Sequence, residues 1–313
     1  MKQTGARVQG SRYTLHAMNL RVSPYLLLTL ANLFWAGNWI VGRGMRDEVP
    51  PIALSFWRWV IALACLLPLA WPYLRRDRAL LLAGWRWLVL LGILGTCLYN
   101  ALTYIGLQQT EAVNGLLLNS FIPIVIVMLA WLFQGKRLRH IETLGIAMSF
   151  SGVVAIVARG DLGTLLALTL NLGDIWILLS VFAWAVYTLL LPQRPAAHPL
   201  AFLFAIALIG VLATLPFYLL EHFTIRQIAP SGNAWLAITY AGIFPAFLGF
   251  IFWNRGVEQV GAAQAGLFIH LMPAFGIVLA AVFLGERLMN FHFIGIALIF
   301  GGIFLTTRKR RPA

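Results

Sequence analysis

The chain has 313 residues, of which 61% are apolar and only 11% are Asp, Glu, Lys or Arg. A soluble domain carries about 25% charged residues, so this chain cannot clothe itself for water, and its mean hydropathy of +0.85 agrees. A soluble enzyme, a secreted disulfide module, a disordered tail and a nucleic-acid reader are excluded. An integral membrane protein is expected.

The basic residues 1–23 lead into an apolar run that passes Trp35 and Trp39 to Val41 without an A-x-A-like cleavage site, so it reads as a retained first span. Ten apolar runs have the length of about 20 residues that crosses a hydrocarbon core. Their limits are Pro24 to Gly42, Ile52 to Trp71, Trp85 to Tyr104, Val113 to Phe133, Ile141 to Ala158, Asp174 to Leu191, Leu200 to Leu220, Asn233 to Trp253, Ala262 to Phe283 and Phe291 to Thr307. All are expected to be helical, because backbone exposed to lipid must satisfy its own hydrogen bonds and nothing here alternates like barrel strands. The fold class is therefore an all-α membrane protein of ten transmembrane helices.

Ten spans leave both termini on one side, and the positive-inside rule chooses which. With cytoplasmic termini, the inner segments hold 16 basic residues, among them Arg75, Arg76, Lys136, Arg137 and Lys309. The outer ones hold five: Arg43, Arg46, Arg159, Arg226 and Arg287. Topology thus accounts for the net charge of +13 without an acidic partner. Cys65 and Cys97 lie inside apolar runs, where a thiol is a packing residue.

An offset of 150 residues aligns the chain with itself. Gly106, Gln109, Ala112, Leu117 and Pro123 meet Gly256, Gln259, Ala262, Leu267 and Pro273, and between Gly106 and Gly152 there are 16 identities in 47 positions. Nearer the start the offset is 148 to 149, pairing Trp35 with Trp184 and Pro51 with Pro199. The halves are five-helix copies, and because five is odd the second enters the membrane inverted. Inverted repeats around a central cavity are a transporter signature. The division is 1–23 basic N-terminus, 24–158 first repeat, 159–173 linker, 174–307 second repeat and 308–313 basic C-terminus.

A polar side chain within a span is costly and points to a site. The first span carries Asn32, Trp35, Asn38 and Trp39; the third Thr96, Tyr99, Asn100 and Thr103; the fourth Asn119, Ser120 and Pro123; the ninth His270 and Pro273. The sixth has Ser180, Trp184, Tyr187 and Thr188, and the eighth Pro245, Gly249, Phe250 and Trp253. Asn32, Asn100, Asn119 and Ser120 have a second reading as interhelical contacts worth about 0.6 kcal/mol each. Trp71, Trp85, Trp87, Trp131, Trp176 and Trp235 lie near span ends and read as an interfacial belt. Arg58 lies about seven residues, or roughly 10 Å, from the outer end of its span, and reads as a snorkelling side chain or a partner of Asp47 or Glu48 before it reads as a carboxylate site. His270, the one titratable group deep at a span centre, reads first as structural, then as a substrate contact. Pro123, Pro245, Gly249 and Pro273 are candidate hinges.

All ten acids fall in loops or at span edges. A site that trades protons for lipophilic cations needs a buried carboxylate, so a cavity for neutral or zwitterionic solutes with apolar bodies is expected. No G-x-S-x-G, H-E-x-x-H, P-loop or metal-ligand cluster is present, and neither enzyme activity nor a cofactor is expected.

The block Trp35-Ala36-Gly37-Asn38, Phe56-Trp57-Arg58, the paired Pro123 and Pro273, and Gly285-Glu286-Arg287-Leu288 before Gly295 resemble the EamA-type members of the drug/metabolite transporter superfamily. Within it the chain is most similar to the YddG type of aromatic amino-acid exporter. The resemblance spans about Pro24 to Thr307 and implies two inverted five-helix halves, a central cavity and metabolite export. Lys136 stands where that pattern often has Glu, as Glu286 does in the second half.

These readings give an inner-membrane exporter of amino acids, aromatic ones included, working by alternating access with the bilayer and a small solute as its partners. No nucleic acid or oligomer is required. Trp35, Trp39, Trp184, Tyr187, Phe250 and Trp253 would wall the ring; Asn38, Tyr99, Asn100, Asn119, Ser120 and His270 would meet the polar ends. Export of another neutral metabolite such as a nucleobase or lipophilic drug, or a receptor or scaffold without flux, remains open.

Overall fold

Ten principal helices, with shorter helical turns such as Arg78–Ala83 between them, form among the described residues of the computed structural model, namely 22–110, 112–135, 139–158, 161, 163, 171–284 and 289–307. The basic termini, most of the expected linker, Lys136, and the Gly285 to Leu288 motif with Glu286 lie outside the described residues. The helices are α1 (Pro24–Gly44), α2 (Pro51–Arg76), α3 (Trp85–Gln109), α4 in two pieces (Ala112–Asn119 and Ile122–Gln134) and α5 (His140–Val157). The second half has α6 (Leu172–Leu190), α7 (Pro199–Leu220), α8 (Gly232–Val260), α9 in pieces (Ala262–Gly266, Leu267–His270, Leu271–Leu284) and α10 (Asn290–Thr307). Among the described residues nine of these segments are long and apolar enough to cross a membrane, and α10 is a shorter apolar helix over Asn290–Thr306. The membrane face where α1 begins is termed the near face, the other the far face.

Local chemistry sets the ends. Pro24, Pro51 and Pro199 stand at helix starts, where the missing N–H is no loss and the fixed φ suits the first turn. Asn171 and Asp174 cap α6 reciprocally, each side chain accepting from the other's backbone N–H at 3.2 and 2.9 Å. Gly135, at φ 63°, closes α4 in the left-handed region that glycine enters without strain.

The contacts obey the inverted repeat. Both third helices widen into a π-type turn, at Gly92–Leu98 in α3 and at Gly242–Leu248 in α8, positions related by the 150-residue offset. Both fourth helices break, α4 at Ser120 and Phe121, α9 where Leu267–His270 tightens into a 3-10 turn. Fifth helices α5 and α10 cross antiparallel on glycine. A Cβ on Gly152 would come within 2.5 Å of the Gly295 carbonyl oxygen, and one on Gly295 within 2.7 Å of that of Gly152. Gly145 faces Gly302 in the same way. Since Gly145 and Gly295 are equivalent, as are Gly152 and Gly302, the contact of Gly145 with Gly302 is the image of that of Gly295 with Gly152, the mark of a twofold relation.

Second helices α2 and α7 clasp each other at both ends. At the far face the Glu221 carboxylate, just past α7, accepts the backbone N–H groups of Ile52 and Ala53 at 3.1 and 2.7 Å. At the near face the Asp77 carboxylate, just past α2, accepts the N–H of His198 at 2.7 Å. Each acid meets the positive end of the other helix's dipole. On the outer surface Trp71, Trp85, Trp87, Trp131 and Trp235 are exposed near helix ends, and Trp176 is half-buried.

Candidate functional site

The third helices meet the first and second helices at mid-membrane, and there the first half gathers polar groups. Asn100 and Tyr104 lie one turn apart on the same face of α3. Their oxygens receive the Arg58 guanidinium: Nη1 donates to Asn100 Oδ1 at 2.8 Å and to the Tyr104 hydroxyl at 2.7 Å. Tyr104 in turn donates to Asn38 Oδ1 at 2.8 Å. The Asn100 amide nitrogen bonds the carbonyls of Gly95 and Thr96, both at 3.1 Å, which turns its oxygen toward the arginine. Those carbonyls belong to the π-type turn, a distortion common at functional sites.

Arg58 is 1% exposed. This corrects the snorkelling or acid-paired arginine expected from sequence: its side chain faces α3, where two acceptors wait at helical spacing, while Asp47 pairs with Arg46 and Glu48 bonds Ser231. Among the described residues no carboxylate comes within ion-pair distance of Arg58, and its Nε has no partner.

Against this network stands a block of rings centred on Trp184. Its centroid lies 4.5 Å from Tyr99, 5.1 Å from Trp35 and from Tyr187, 5.4 Å from Phe250 and 5.6 Å from Trp253. Trp35 bonds the Pro245 carbonyl at 3.0 Å and sits so close to α8 that a Cβ on Gly249 would lie 2.9 Å from its Nε1. Pro245 and Gly249 thus seat the Trp35 indole against the widened turn of α8.

A cavity lies between network and rings, lined by Trp35, Asn38, Trp39, Arg58, Tyr99, Asn100, Thr103, Tyr104 and Phe250. Its volume, about 10 Å³ of space for water centres, holds about one water. A larger cleft of about 280 Å³ lies among near-face helix ends, between Gln134, Arg139, Val260, Gln264 and Thr306. At the far face, Arg43 of α1 donates to the Leu107 and Thr110 carbonyls at 3.0 and 3.2 Å, and Thr110 bonds Asp174 of α6. These contacts tie the far-face ends of α1, α3 and α6 together.

Six of the expected substrate contacts line the cavity directly, namely Trp35, Asn38, Trp39, Tyr99, Asn100 and Phe250, with Thr103 of the same polar face beside them. Trp184, Tyr187 and Trp253 back the rings, and Asn119 reaches Tyr99 at 3.4 Å. Ser120 and His270 are not brought to the cavity. His270 is fully buried where the broken helices cross, its Nε2 bonding the Ser120 carbonyl at 2.9 Å and its Nδ1 the Ser149 hydroxyl at 2.5 Å. Because a carbonyl only accepts, Nε2 carries the proton and Nδ1 receives the Ser149 hydroxyl. Pro123 opens the second piece of α4 just past its break, and Pro273 lies three residues beyond the 3-10 turn of α9. Among the described residues no three His, Cys, Asp or Glu side chains are close enough to share a metal ion.

The sequence reading ranked Arg58 as snorkelling or acid-paired ahead of a carboxylate site, and it passed over Tyr104. The available signal was the rule that an intramembrane charge is by default functional, joined to the i, i+4 spacing of Asn100 and Tyr104 on the neighbouring span.

The same architecture occurs elsewhere. A solved crystal structure superposes with a TM-score of 0.72 over 91% of this chain and 96% of its own, at 20% identity, a likeness of fold. YetK of Bacillus subtilis, an uncharacterized transporter, is 29% identical over 295 residues, 93% of this chain and 88% of that protein. A probable terminal-alkyne amino-acid exporter of Streptantibioticus cattleyicolor is 25% identical over 90% of this chain and 92% of that one. The model of the EamA-like transporter family matches twice, over residues 22–158 and 171–308. With both halves matched, the chain belongs to the EamA-like transporter family.

Proposed function

We propose that this transporter exports amino acids, aromatic ones included, from the cytoplasm across the inner membrane by alternating access. The observation that carries the reading is the polar cavity walled by Trp35, Trp39, Tyr99 and Phe250, with the Trp184 block behind it. Rings can hold an aromatic side chain while amides and hydroxyls meet its polar end. Aromatic pairs contribute about 0.5 to 1.5 kcal/mol each beyond area, so binding is weak and broad, which suits release on the far side. The relative named as an amino-acid exporter supports the same substrate class.

The inverted halves supply a means. The cavity of about 10 Å³ is too small for an amino acid, so the helices must part, and exchanging conformations between equivalent halves would open the site first to one face and then to the other. Pro123, Pro245, Gly249 and Pro273 serve as hinges in this reading, since all four lie in or beside the π-type turn or helix breaks. The repeats run 24–158 and 174–307, with cytoplasmic termini, so reagents confined to one side should reach Lys136 and Glu286 from opposite faces.

Counterflow in vesicles tests the function. Purified protein should exchange labelled phenylalanine, tyrosine or tryptophan, with and without a pH gradient. Movement of nucleobases or lipophilic drugs but no amino acid would replace the substrate class. No flux of any solute would favour a receptor or scaffold.

A further inference from the structure

The unpaired charge of Arg58 carries a more specific conclusion. A guanidinium taken out of water is expensive unless its charge and its donors are met. Here both protein hydrogen bonds leave from Nη1 and go to neutral oxygens, while Nε is buried and unpartnered. The edge formed by Nε and Nη2 is thus unspent. That edge is the one arginine uses for bidentate carboxylate recognition. The same chain shows it at the near face, where Arg76 grips Asp77 with Nε to Oδ1 at 2.7 Å and Nη2 to Oδ2 at 3.1 Å.

We propose that Arg58 is the carboxylate receptor of the transport site, so that the cargo is selected as a monocarboxylate, its acid on the free Nε–Nη2 edge of Arg58 and its apolar body toward Phe250 and Trp35. This rests on reading the cavity as the transport site. Among the described residues that line the cavity Arg58 is the one cation, so it matches one negative charge, which favours a carboxylate over a phosphate dianion. Asn100 and Tyr104 hold the guanidinium in place without neutralising it, as a preformed receptor requires. The equivalent positions of α7, 148 and 149 residues on, are Ile206 and Ala207. The second half therefore has no matching cation, and the acid can lie at one pole only.

The test uses the full chain in detergent, with tryptophan fluorescence reporting from Trp35 and Trp39 and thermal shift beside it. The probes are L-phenylalanine, 3-phenylpropionate, L-phenylalaninamide, phenethylamine and chloride. The two carboxylates should bind at least tenfold more tightly than the amide or the amine, and chloride should compete only weakly. Arg58→Gln should collapse the carboxylate preference to near unity, and Arg58→Lys should restore part of it, an outcome that a merely structural role for the guanidinium would not produce. If Arg58→Gln does not fold, the wild-type series still decides. Equal binding of phenylalanine and its amide, binding of no carboxylate, or tighter binding of chloride than of every carboxylate overturns the assignment. Binding of 3-phenylpropionate without phenylalanine upholds the receptor and defeats the amino-acid reading. Transport of phenylalanine with no carboxylate preference does the reverse.

Discussion

In the first half Tyr104 of α3 donates to Asn38 of α1 at 2.8 Å; at the equivalent positions of the second half Tyr187 of α6 donates to Asn254 of α8 at 2.7 Å. The same bridge joins first helix to third helix in both halves, with donor and acceptor exchanged. Around these matched bridges the chemistry diverges. Arg58 and Asn100 flank the first; Ile206 or Ala207 and Phe250 hold the equivalent places near the second. The duplicated part is the frame, namely π-type turns, helix breaks and glycine crossings, which allows two inverted conformations. The unduplicated part is the site, and its asymmetry gives a cargo one orientation within a nearly symmetric machine.

Breaking the shared frame should have the largest effect, and equally from either half. Gly152→Leu or Gly295→Leu forces a side chain against the partner helix backbone, 2.5 or 2.7 Å from a carbonyl oxygen at Cβ alone. Overpacking of this kind costs about 1 to 3 kcal/mol, and more where backbone must move. Both variants should lose that stability in thermal unfolding of the detergent-solubilised protein, by similar amounts. Gly44→Ala, with nothing within 4 Å of the added methyl, should change little. A large loss from one member of the glycine pair alone would break the equivalence of the halves.

The next test separates the two bridges. Tyr104→Phe removes an acceptor from a buried guanidinium, and hydrogen bonds to charged groups are worth about 1.5 to 3 kcal/mol. Tyr187→Phe removes a bond between neutral groups, worth about 0.5 to 1.5 kcal/mol. Tyr104→Phe should therefore destabilise more, and it alone should weaken carboxylate binding. Equal losses in unfolding and in binding would mean that the charge of Arg58 adds nothing to the first bridge.

Much of this frame was legible in sequence because it is written in spacing. Paired Gly, Pro, Gln and Arg at one offset reveal duplication, and an odd helix count makes it inverted. The rings were legible from depth: Trp35, Trp39 and Trp184 sit too far from the span ends for an interface, and Trp35 and Trp184 meet. Arg58 was misread because its depth allowed snorkelling, and only packing shows that its side chain turns inward to α3. His270 was unusual in composition yet lies away from the cavity, since a broken helix needs a partner for its free carbonyl and a histidine supplies it. Periodicity gives the face a residue occupies on its own helix. It does not say which helix that face meets.

The smallest expected effect concerns the clasps between α2 and α7, which differ at the two membrane faces. At the near face the hydrogen bonds from Arg76 hold the Asp77 carboxyl below its ordinary value of 3.8, helped by the His198 N–H and opposed by burial. Burial, with the charge of Arg76, keeps the His198 imidazole below its ordinary 6.5, against the pull of Asp77. His198 also accepts the Leu200 N–H on Nδ1 at 3.3 Å, a bond that protonation of that nitrogen abolishes. For both groups the folded state binds its proton less readily than the unfolded chain, so both contribute stability that is complete above the unfolded values and drains away as pH falls. His198 gives a first decline starting below about pH 6.5, and Asp77 a second below about pH 4. Unfolding measured from pH 8 to pH 3 should show this two-step loss. His198→Gln should erase the upper step and Asp77→Asn the lower, each at slight cost near neutrality. If His198→Gln leaves the upper step intact, the pH response belongs to another part of the molecule and the near-face clasp is not its source.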